Sequence, residues 1–226
     1  MRYADTTIII PTINEEDNIG KLIDTLYKLY PGIKIIVSDD GSVDDTGKIA
    51  KKKKAVFLDR SDKNVHGITV SIIDALLKCE TKYFVAIDAD FQHPPEKIKE
   101  IVEKLRKGSD LVVGARISTK GWSIWRRMIS KTAYILGYLR LLFKRTPKYD
   151  LMSGFFGGKR EFVEEIVKKK YNKFELKGYK MLFDLMKYVP VNVRIGKVSY
   201  DFGLRKHGSS KLNKKIIYYY FRSLFK

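Results

Sequence analysis

Two carboxylates stand two residues apart in Asp88-Ala89-Asp90, and Gln92 follows with a neutral amide oxygen. Carboxylates so close repel each other unless a cation or a hydrogen-bond donor lies between them. Hard divalent cations take oxygen ligands, typically one or two carboxylates completed by substrate phosphates. Asp88, Asp90 and Gln92 are therefore a candidate site for a hard divalent cation, although a D-x-D pair alone is a weak motif. Two further acidic turns precede it. One is Asn14-Glu15-Glu16 after Pro11-Thr12-Ile13, and the other is Asp39-Asp40-Gly41-Ser42. Read singly, each is a polar turn capping a helix, with Asn14 as the cap of the first. On the basic side, Arg126 and Arg127 are adjacent and Ser130 follows one helical turn after Arg126. An anionic ligand relieves the repulsion of paired arginines, and the planar guanidinium fork matches phosphate bidentately.

The elements that must position these residues alternate in the first half. Apolar runs at 6–10, 33–38, 55–58, 83–87 and 111–113 read as strands. Helical patterns lie between them at 15–30, 44–54, 67–79 and 95–107. Pro31-Gly32 stops the first helix, Pro95 opens the last and Gly108 ends it. Apolar strands without alternation, separated by helices, predict an α/β fold with a mostly parallel sheet covered on both faces. Ligands of such sheets bind beyond the carboxyl ends of the strands. The three acidic turns all follow strands, so they are expected along one edge, where a nucleotide, a sugar and a metal-bound diphosphate would fit.

The second half reads differently. Residues 123–145 have helical periodicity with many aromatics and arginines, 161–170 and 178–188 are further helices, 191–195 is a strand, and 213–225 is a final helix. Ile124, Trp125, Met128, Ile129, Ile135, Leu136, Leu139, Leu142 and Phe143 fall on one side of the first of these helices, with Leu141 the exception. Packing on the core would explain that stripe, and so would a helix lying in a membrane interface. Charge favours the interface. The chain carries +19, and residues 116–149 and 202–226 hold nine and seven basic residues with no acidic one, while the first 115 residues are close to balanced. A basic balance suits nucleic acid, an anionic membrane surface or phosphorylated substrates, and two basic segments behind a balanced front half are not a uniformly basic nucleic-acid coat.

At 226 residues and 44% hydrophobic, the chain can bury a real core as one domain and is not wholly disordered. The two halves, 1–115 and 116–226, the second with amphipathic helices at about 123–145 and 213–225, are expected to form that one domain. The single Cys79 forms no internal disulfide. No uncharged apolar run reaches the roughly 18–20 residues of a membrane span, and no cleavable signal pattern precedes the first strand.

The longer strings make the reading specific. Asp88-Ala89-Asp90-Phe91-Gln92-His93-Pro94-Pro95-Glu96, Gly114-Ala115-Arg116, Asp150-Leu151-Met152-Ser153-Gly154-Phe155, Gly178-Tyr179-Lys180 and the run from Phe202 through Arg205 to Lys211-Leu212 resemble family 2 glycosyltransferases of the GT-A fold. Within them the chain closely resembles the polyprenyl-phosphate mannosyltransferase branch. That resemblance implies an inverting, metal-dependent transfer of mannose from GDP-mannose to dolichyl or another polyprenyl phosphate. It also implies residue roles. Pro11, Ile13, Glu15, Asp39, Asp40, Asp88 and Ala89 would hold the donor, with Lys180 assisting. Asp88, Asp90 and Gln92 would hold Mg2+ or Mn2+. Arg116, Arg126 and Ser130 would receive the acceptor phosphate, and Arg205 and Lys211 would close over the donor diphosphate. Asp90, Arg116, Arg126, Ser130, Arg205 and Lys211 are the expected catalytic set. The family usually has tyrosine where Ile13 stands, and its glycine-rich stretch after the third strand is thin here, as Asn64-Val65-His66-Gly67. Because a phosphate acceptor is already ionised near neutral pH, no general base is required, and Asp184 is not assigned that role.

The expected setting is peripheral, on the cytoplasmic face of a membrane, alone or with a membrane-protein partner. Two rivals stay open on sequence. The fold could serve UDP-glucose or another nucleotide sugar, or the basic charge could belong to a non-enzymatic protein that binds membranes or nucleic acid. The second leaves three acidic turns unexplained, so no nucleic-acid partner is expected.

Overall fold

The computed structural model describes residues 2–118, 124–141, 150–203 and 214–226. Seven strands form one sheet: β1 (Thr6–Thr12), β2 (Lys34–Asp39), β3 (Val56–Asp59), β4 (Tyr83–Ala86), β5 (Leu111–Ser118), β6 (Phe156–Lys159) and β7 (Ile195–Asp201). Their spatial order is β3-β2-β1-β4-β6-β5-β7. All pairings are parallel except those of β6, which runs antiparallel to β4 and β5. The helices are α1 (Glu16–Leu29), α2 (Thr46–Lys52), α3 (Ile68–Leu77), α4 (Ile98–Arg106), α5 (Ile124–Leu141), α6 (Arg160–Lys170), α7 (Met181–Met186) and α8 (Lys214–Phe225).

The apolar run Ile8-Ile9-Ile10 serves both faces of the sheet because successive side chains point oppositely. Ile8 and Ile10 join Leu22, Leu26, Ile101 and Leu105, from α1 and α4, in one core. Ile9 joins Ile72, Leu76, Val163, Val167 and Leu182, from α3, α6 and α7, in the other. Burial on both faces explains why β1 reads as a continuous apolar run. Pro11, which has no N–H to donate, lies beyond the last β1–β4 pair at Ile9 and Ala86.

The first four strands and their helices stand where the sequence puts them, to within one or two residues at most ends; the helix expected from residue 44 is shorter, at Thr46–Lys52. Three expectations change. β5 continues well past 113, through Ser118, which places Gly114, Ala115 and Arg116 on a strand. The strand expected at 191–195 lies instead at Ile195–Asp201, where Val198 and Tyr200 are buried and Lys197, Ser199 and Asp201 are exposed. The helix expected at 178–188 is the shorter Met181–Met186, because Glu175–Lys180 forms a loop against α3, with Thr69 N–H bonded to Gly178 O and Val70 N–H to Leu176 O.

Candidate active site

The strand order reverses between β1 and β4. β2 and β3 lie on one side of β1, and the chain then crosses to β4 on the other. A crevice at the carboxyl edge of such a switch point is where open α/β sheets bind ligands. The antiparallel direction of β6 completes this edge, since it brings the entry of β6, residues 150–155, beside the exits of β4, β5 and β7. Residues 12–15, 39–42, 88–93, 116, 150–155 and 201–203 therefore share one rim although they span most of the chain.

On the β1–β2 side the turns are laced together. Asp39 is 3% exposed, and its Oδ1 accepts the Thr12 hydroxyl at 2.9 Å and the Ser42 hydroxyl at 2.6 Å, while Oδ2 accepts Ser42 N–H at 2.8 Å. Asn14 does not cap α1. The cap position falls to Glu15, and Asn14 Oδ1 accepts Val43 N–H across the turns at 2.9 Å. The positive φ of Asn14, 51°, is a conformation asparagine tolerates better than most side chains. Glu15 N–H bonds Thr46 Oγ1 at 2.8 Å, and Glu15 Oε2 accepts Asn18 Nδ2 at 3.0 Å. Ile13 is 38% exposed at the same rim.

Asp40 is held by a residue that the sequence reading did not single out. Arg60, 1% exposed just after β3, donates from Nη1 to Asp40 Oδ1 and to Ser71 Oγ (3.1 Å), from Nε to Asp74 Oδ2 (2.8 Å) and from Nη2 to Val65 O (2.9 Å). Asp40 Oδ2 also accepts Gly67 N–H at 2.7 Å. Gly67 has φ 151°, and a Cβ there would stand 2.7 Å from Leu176 O. The thin glycine stretch thus keeps a glycine where only glycine fits. No local spacing could reveal Arg60, because its carboxylate partners are 20 and 14 residues away.

On the β4 side, Asp88 is more than one-third exposed and its Oδ2 lies 3.0 Å from His93 Nε2. Ala89 and Asp90 are buried, and Asp90 Oδ1 accepts Gln92 N–H at 3.0 Å. Gln92 donates from Nε2 to Gly203 O at 3.2 Å and accepts Gly203 N–H on its own carbonyl at 3.0 Å. Any cation contact of Gln92 therefore falls to its Oε1. Among the described residues no three His, Cys, Asp or Glu side chains converge as a metal cage. Two carboxylates and an amide are all hard oxygen donors, and they fit a cation whose remaining ligands come from a substrate's phosphates.

Arg116, at the end of β5, forks onto Asp150: Nε to Oδ2 is 2.6 Å and Nη2 to Oδ1 is 2.8 Å. Met152 N–H supports the same carboxylate at 3.2 Å. Burial opposes the charge on both partners, yet the pairing prevails, holding the Asp150 carboxyl below its ordinary range and the Arg116 guanidinium above its own. Lys180 joins this cluster, with Nζ donating to Met152 O and lying 4.5 Å from the Tyr179 ring centre. Arg126 and Ser130 lie one turn apart on α5, their side chains outside the described set, and Arg205 and Lys211 lie outside the described residues. Asp184 is 1% exposed and tied to Lys187 Nζ (2.6 Å), Ser223 Oγ (2.5 Å) and Glu175 N–H (3.0 Å), a structural knot that fastens α7 to α8.

The amphipathic helices flank this rim. α5 packs inward through Ala133, Leu136, Gly137 and Leu141, so Leu141, the exception to the apolar stripe, is the fully buried member at 1% exposure. Met128, Ile135 and Leu139 of the stripe are 46–55% exposed. On α8, Tyr220 and Leu224 face the core while Tyr218, Phe221 and Phe225 are 45–87% exposed. Lys131, Arg140, Lys215 and Arg222 stand exposed on the same two helices. A cavity of about 300 Å3 lies between them, lined by Met128, Leu136, Tyr179, Ile217, Tyr220 and Phe221 among others. No helix among the described residues is long and apolar enough to cross a membrane.

The mixed seven-stranded sheet, with its acidic turns on one rim, is the fold of GT-A glycosyltransferases. The solved structure of glucosyl-3-phosphoglycerate synthase from Mycobacterium tuberculosis, crystallised with Mn2+, UDP and glucosyl-3-phosphoglycerate, matches it with a TM-score of 0.72 at 21% identity, over 97% of this chain and 80% of that one. The chain belongs to glycosyl transferase family 2, whose match covers residues 7–167. It is 33% identical to a dolichol-phosphate mannosyltransferase of Pyrococcus furiosus over 97% of its own length, and spans 62% of that relative. It is 30% identical to the dolichol-phosphate mannosyltransferase of Saccharomyces cerevisiae, over 96% of this chain and 85% of that one.

Proposed function

We propose that this chain transfers mannose from GDP-mannose to the phosphate of dolichyl or a related polyprenyl phosphate, with inversion, at the cytoplasmic surface of a membrane. One observation carries the reading: Asp88 and Asp90, after β4, and Arg116, at the end of β5, share the carboxyl rim of one sheet, beside two helices that expose apolar and basic side chains together. Carboxylates suit a cation on a donor diphosphate, arginine suits a phosphate, and the helices suit the lipid that carries that phosphate. The named relatives, both dolichol-phosphate mannosyltransferases, support mannose as the group transferred and a polyprenyl phosphate as its acceptor.

In this mechanism the β1–β2 turns, tied through Asp39, Asp40 and Glu15, form the nucleoside side, with Pro11, Ile13 and Ala89 as apolar walls. Asp88, Asp90 and Gln92 hold Mg2+ or Mn2+, which when bound neutralises charge building on the departing diphosphate. Arg116, Arg126 and Ser130 hold the acceptor phosphate, one oxygen of which attacks the anomeric carbon. As that C–O bond forms, the bond from the carbon to the diphosphate oxygen breaks and its electron pair leaves with GDP. The product is a β-linked mannosyl phosphate. Lys180, Arg205 and Lys211 add positive charge on the leaving side. The acceptor arrives ionised, so the chain needs no base, in keeping with the engagement of Asp184 in the core. All of this is the work of one domain, residues 1–226, with the donor on the 1–115 side and the acceptor on the 116–226 side.

The test is transfer of labelled mannose from GDP-mannose into an organic-extractable product, with dolichyl phosphate and Mg2+ or Mn2+ against a chelator control. Metal-dependent lipid label is expected. Label from UDP-glucose instead, or tight binding of a nucleic-acid duplex with none of GDP, would overturn the proposal.

A further inference from the structure

His93 is a second residue whose place was not foreseen, and its surroundings are unusual. It is 2% exposed, with its ring stacked on Phe155 (centroids 5.4 Å apart, 23° between planes) and edged by Tyr200 (5.5 Å, 66°) and Phe202 (5.4 Å, 75°). A fourth apolar ring would fill such a box without polar cost, whereas an imidazole there needs a partner at each nitrogen. Both are present. Nε2 meets Asp88 Oδ2 at 3.0 Å, and Nδ1 meets the Tyr200 hydroxyl at 2.8 Å. A carboxylate can only accept, so Nε2 carries the ring proton and Nδ1 receives the phenol's. Burial pushes the Tyr200 phenol well above its ordinary value, which keeps that proton in place.

We propose that Tyr200 and His93 are positioning residues for Asp88, a buried chain of two hydrogen bonds that fixes the carboxylate at the exit of β4. The inference rests on the reading of Asp88 as a cation ligand. Its force comes from an asymmetry of exposure: the groups that hold are buried on β7 and in the turn after β4, while the group held is open to the rim. The other side of Asp88 is closed too. A Cβ on Gly154 would stand 3.1 and 3.2 Å from its two oxygens, so the backbone there forms a wall. Between an imidazole and that wall, Asp88 has little rotamer freedom left to lose when it takes a ligand. The reciprocal Gln92–Gly203 bonds fasten the same turn to the exit of β7.

The test measures Mn2+ binding to the full chain by electron paramagnetic resonance of free Mn2+, with and without GDP, alongside thermal unfolding in a chelator. Tyr200→Phe removes one oxygen and keeps the ring. It should weaken Mn2+ about tenfold or more, in the range typical of outer-shell partners. His93→Phe should do the same, and His93→Gln, whose Nε2 can replace the ring donor, should restore most of the affinity. Val167→Ala, in the opposite core, serves as a control of general loosening. The proposal is overturned if Tyr200→Phe binds Mn2+ as the parent does, if His93→Gln is as weak as His93→Phe, or if Val167→Ala loses as much affinity for the same drop in Tm. A parent that binds Mn2+ with GDP but transfers no mannose would sink the proposed reaction and leave this test standing. A parent that binds no Mn2+ would overturn both.

Discussion

Arg116 and Asp150 face each other through two near-parallel hydrogen bonds, 2.6 and 2.8 Å, joining the exit of β5 to the entry of β6. The side chains are only 12% and 15% exposed. The guanidinium that is assigned to the acceptor phosphate is thus already oriented by a carboxylate from its own chain. Removing one partner of a buried pair leaves the other charge stranded, which costs about 3–5 kcal/mol. Asp150→Ala should lose stability on that scale in urea unfolding, and Asp150→Asn, which keeps an acceptor for Arg116, should lose less. Both should raise the KM for dolichyl phosphate more than that for GDP-mannose.

The same pair sets a pH dependence. Burial raises the Asp150 carboxyl, but Arg116 outweighs it and the folded value lies below the ordinary one. A depressed carboxyl contributes its stability in full only well above the unfolded value of about 3.9. That contribution drains away as the pH falls through the folded value, because the unfolded chain binds more protons in that window. Unfolding free energy should therefore decline as the solution is acidified below about pH 5. The slope should be shallower in Asp150→Asn, as measured by denaturant titration at stepped pH.

Asp90→Asn is the sharper variant for the donor side. It keeps an oxygen to accept Gln92 N–H and removes only the charge. Thermal unfolding should be nearly unchanged, and mannosyl transfer should fall by about a hundredfold or more, the scale of losing one charge-stabilising group. Wild-type turnover in this variant would contradict the assignment of Asp90.

Arg60 carries a different prediction. With its guanidinium divided between Asp40, Asp74, Ser71 and Val65 O, Arg60→Met strands two carboxylates. The expected loss is about 3–5 kcal/mol. Weaker GDP binding should accompany it, read by calorimetry, because the Asp39–Asp40 turn loses its anchor.

The exposed side chains of α5 and α8 predict a surface effect. Burying a large apolar side chain is worth about 1.5–3 kcal/mol. Leu139→Ser with Phe221→Ser should therefore reduce co-sedimentation with anionic vesicles at least tenfold and leave GDP binding intact. Raised salt should weaken the parent's binding through Lys131, Arg140, Lys215 and Arg222.

Much of the rim was legible in the sequence because its carboxylates sit in turns directly after apolar strands, and a strand places its exit without ambiguity. β6 was not, since Phe-Gly-Gly-Lys has half its residues as glycine and no β-branched side chain. It is a strand because β4 and β5 offer it pairing on both sides. β7 does carry a signal, the alternation of Val198, Tyr200 and Phe202 with polar neighbours, which marks a strand buried on one face. Arg60, His93 and Tyr200 escaped because their meaning lies in partners far along the chain. His93 and Tyr200 are 107 residues apart, and no local pattern records such a pair.

The reversed β6 also bears on how the molecule is made. It is the wedge between β4 and β5, and the chain reaches it only after α5. Until residue 159 has emerged from a ribosome, β4 has an open flank and β5 has no strand beside it. A fragment ending at 118 should therefore be sticky, since an open strand flank is a template for pairing with another chain. A cut after β6 fares no better, since β7 would be lost from the far flank of β5, and the two halves are better regarded as interlocked than as sequential.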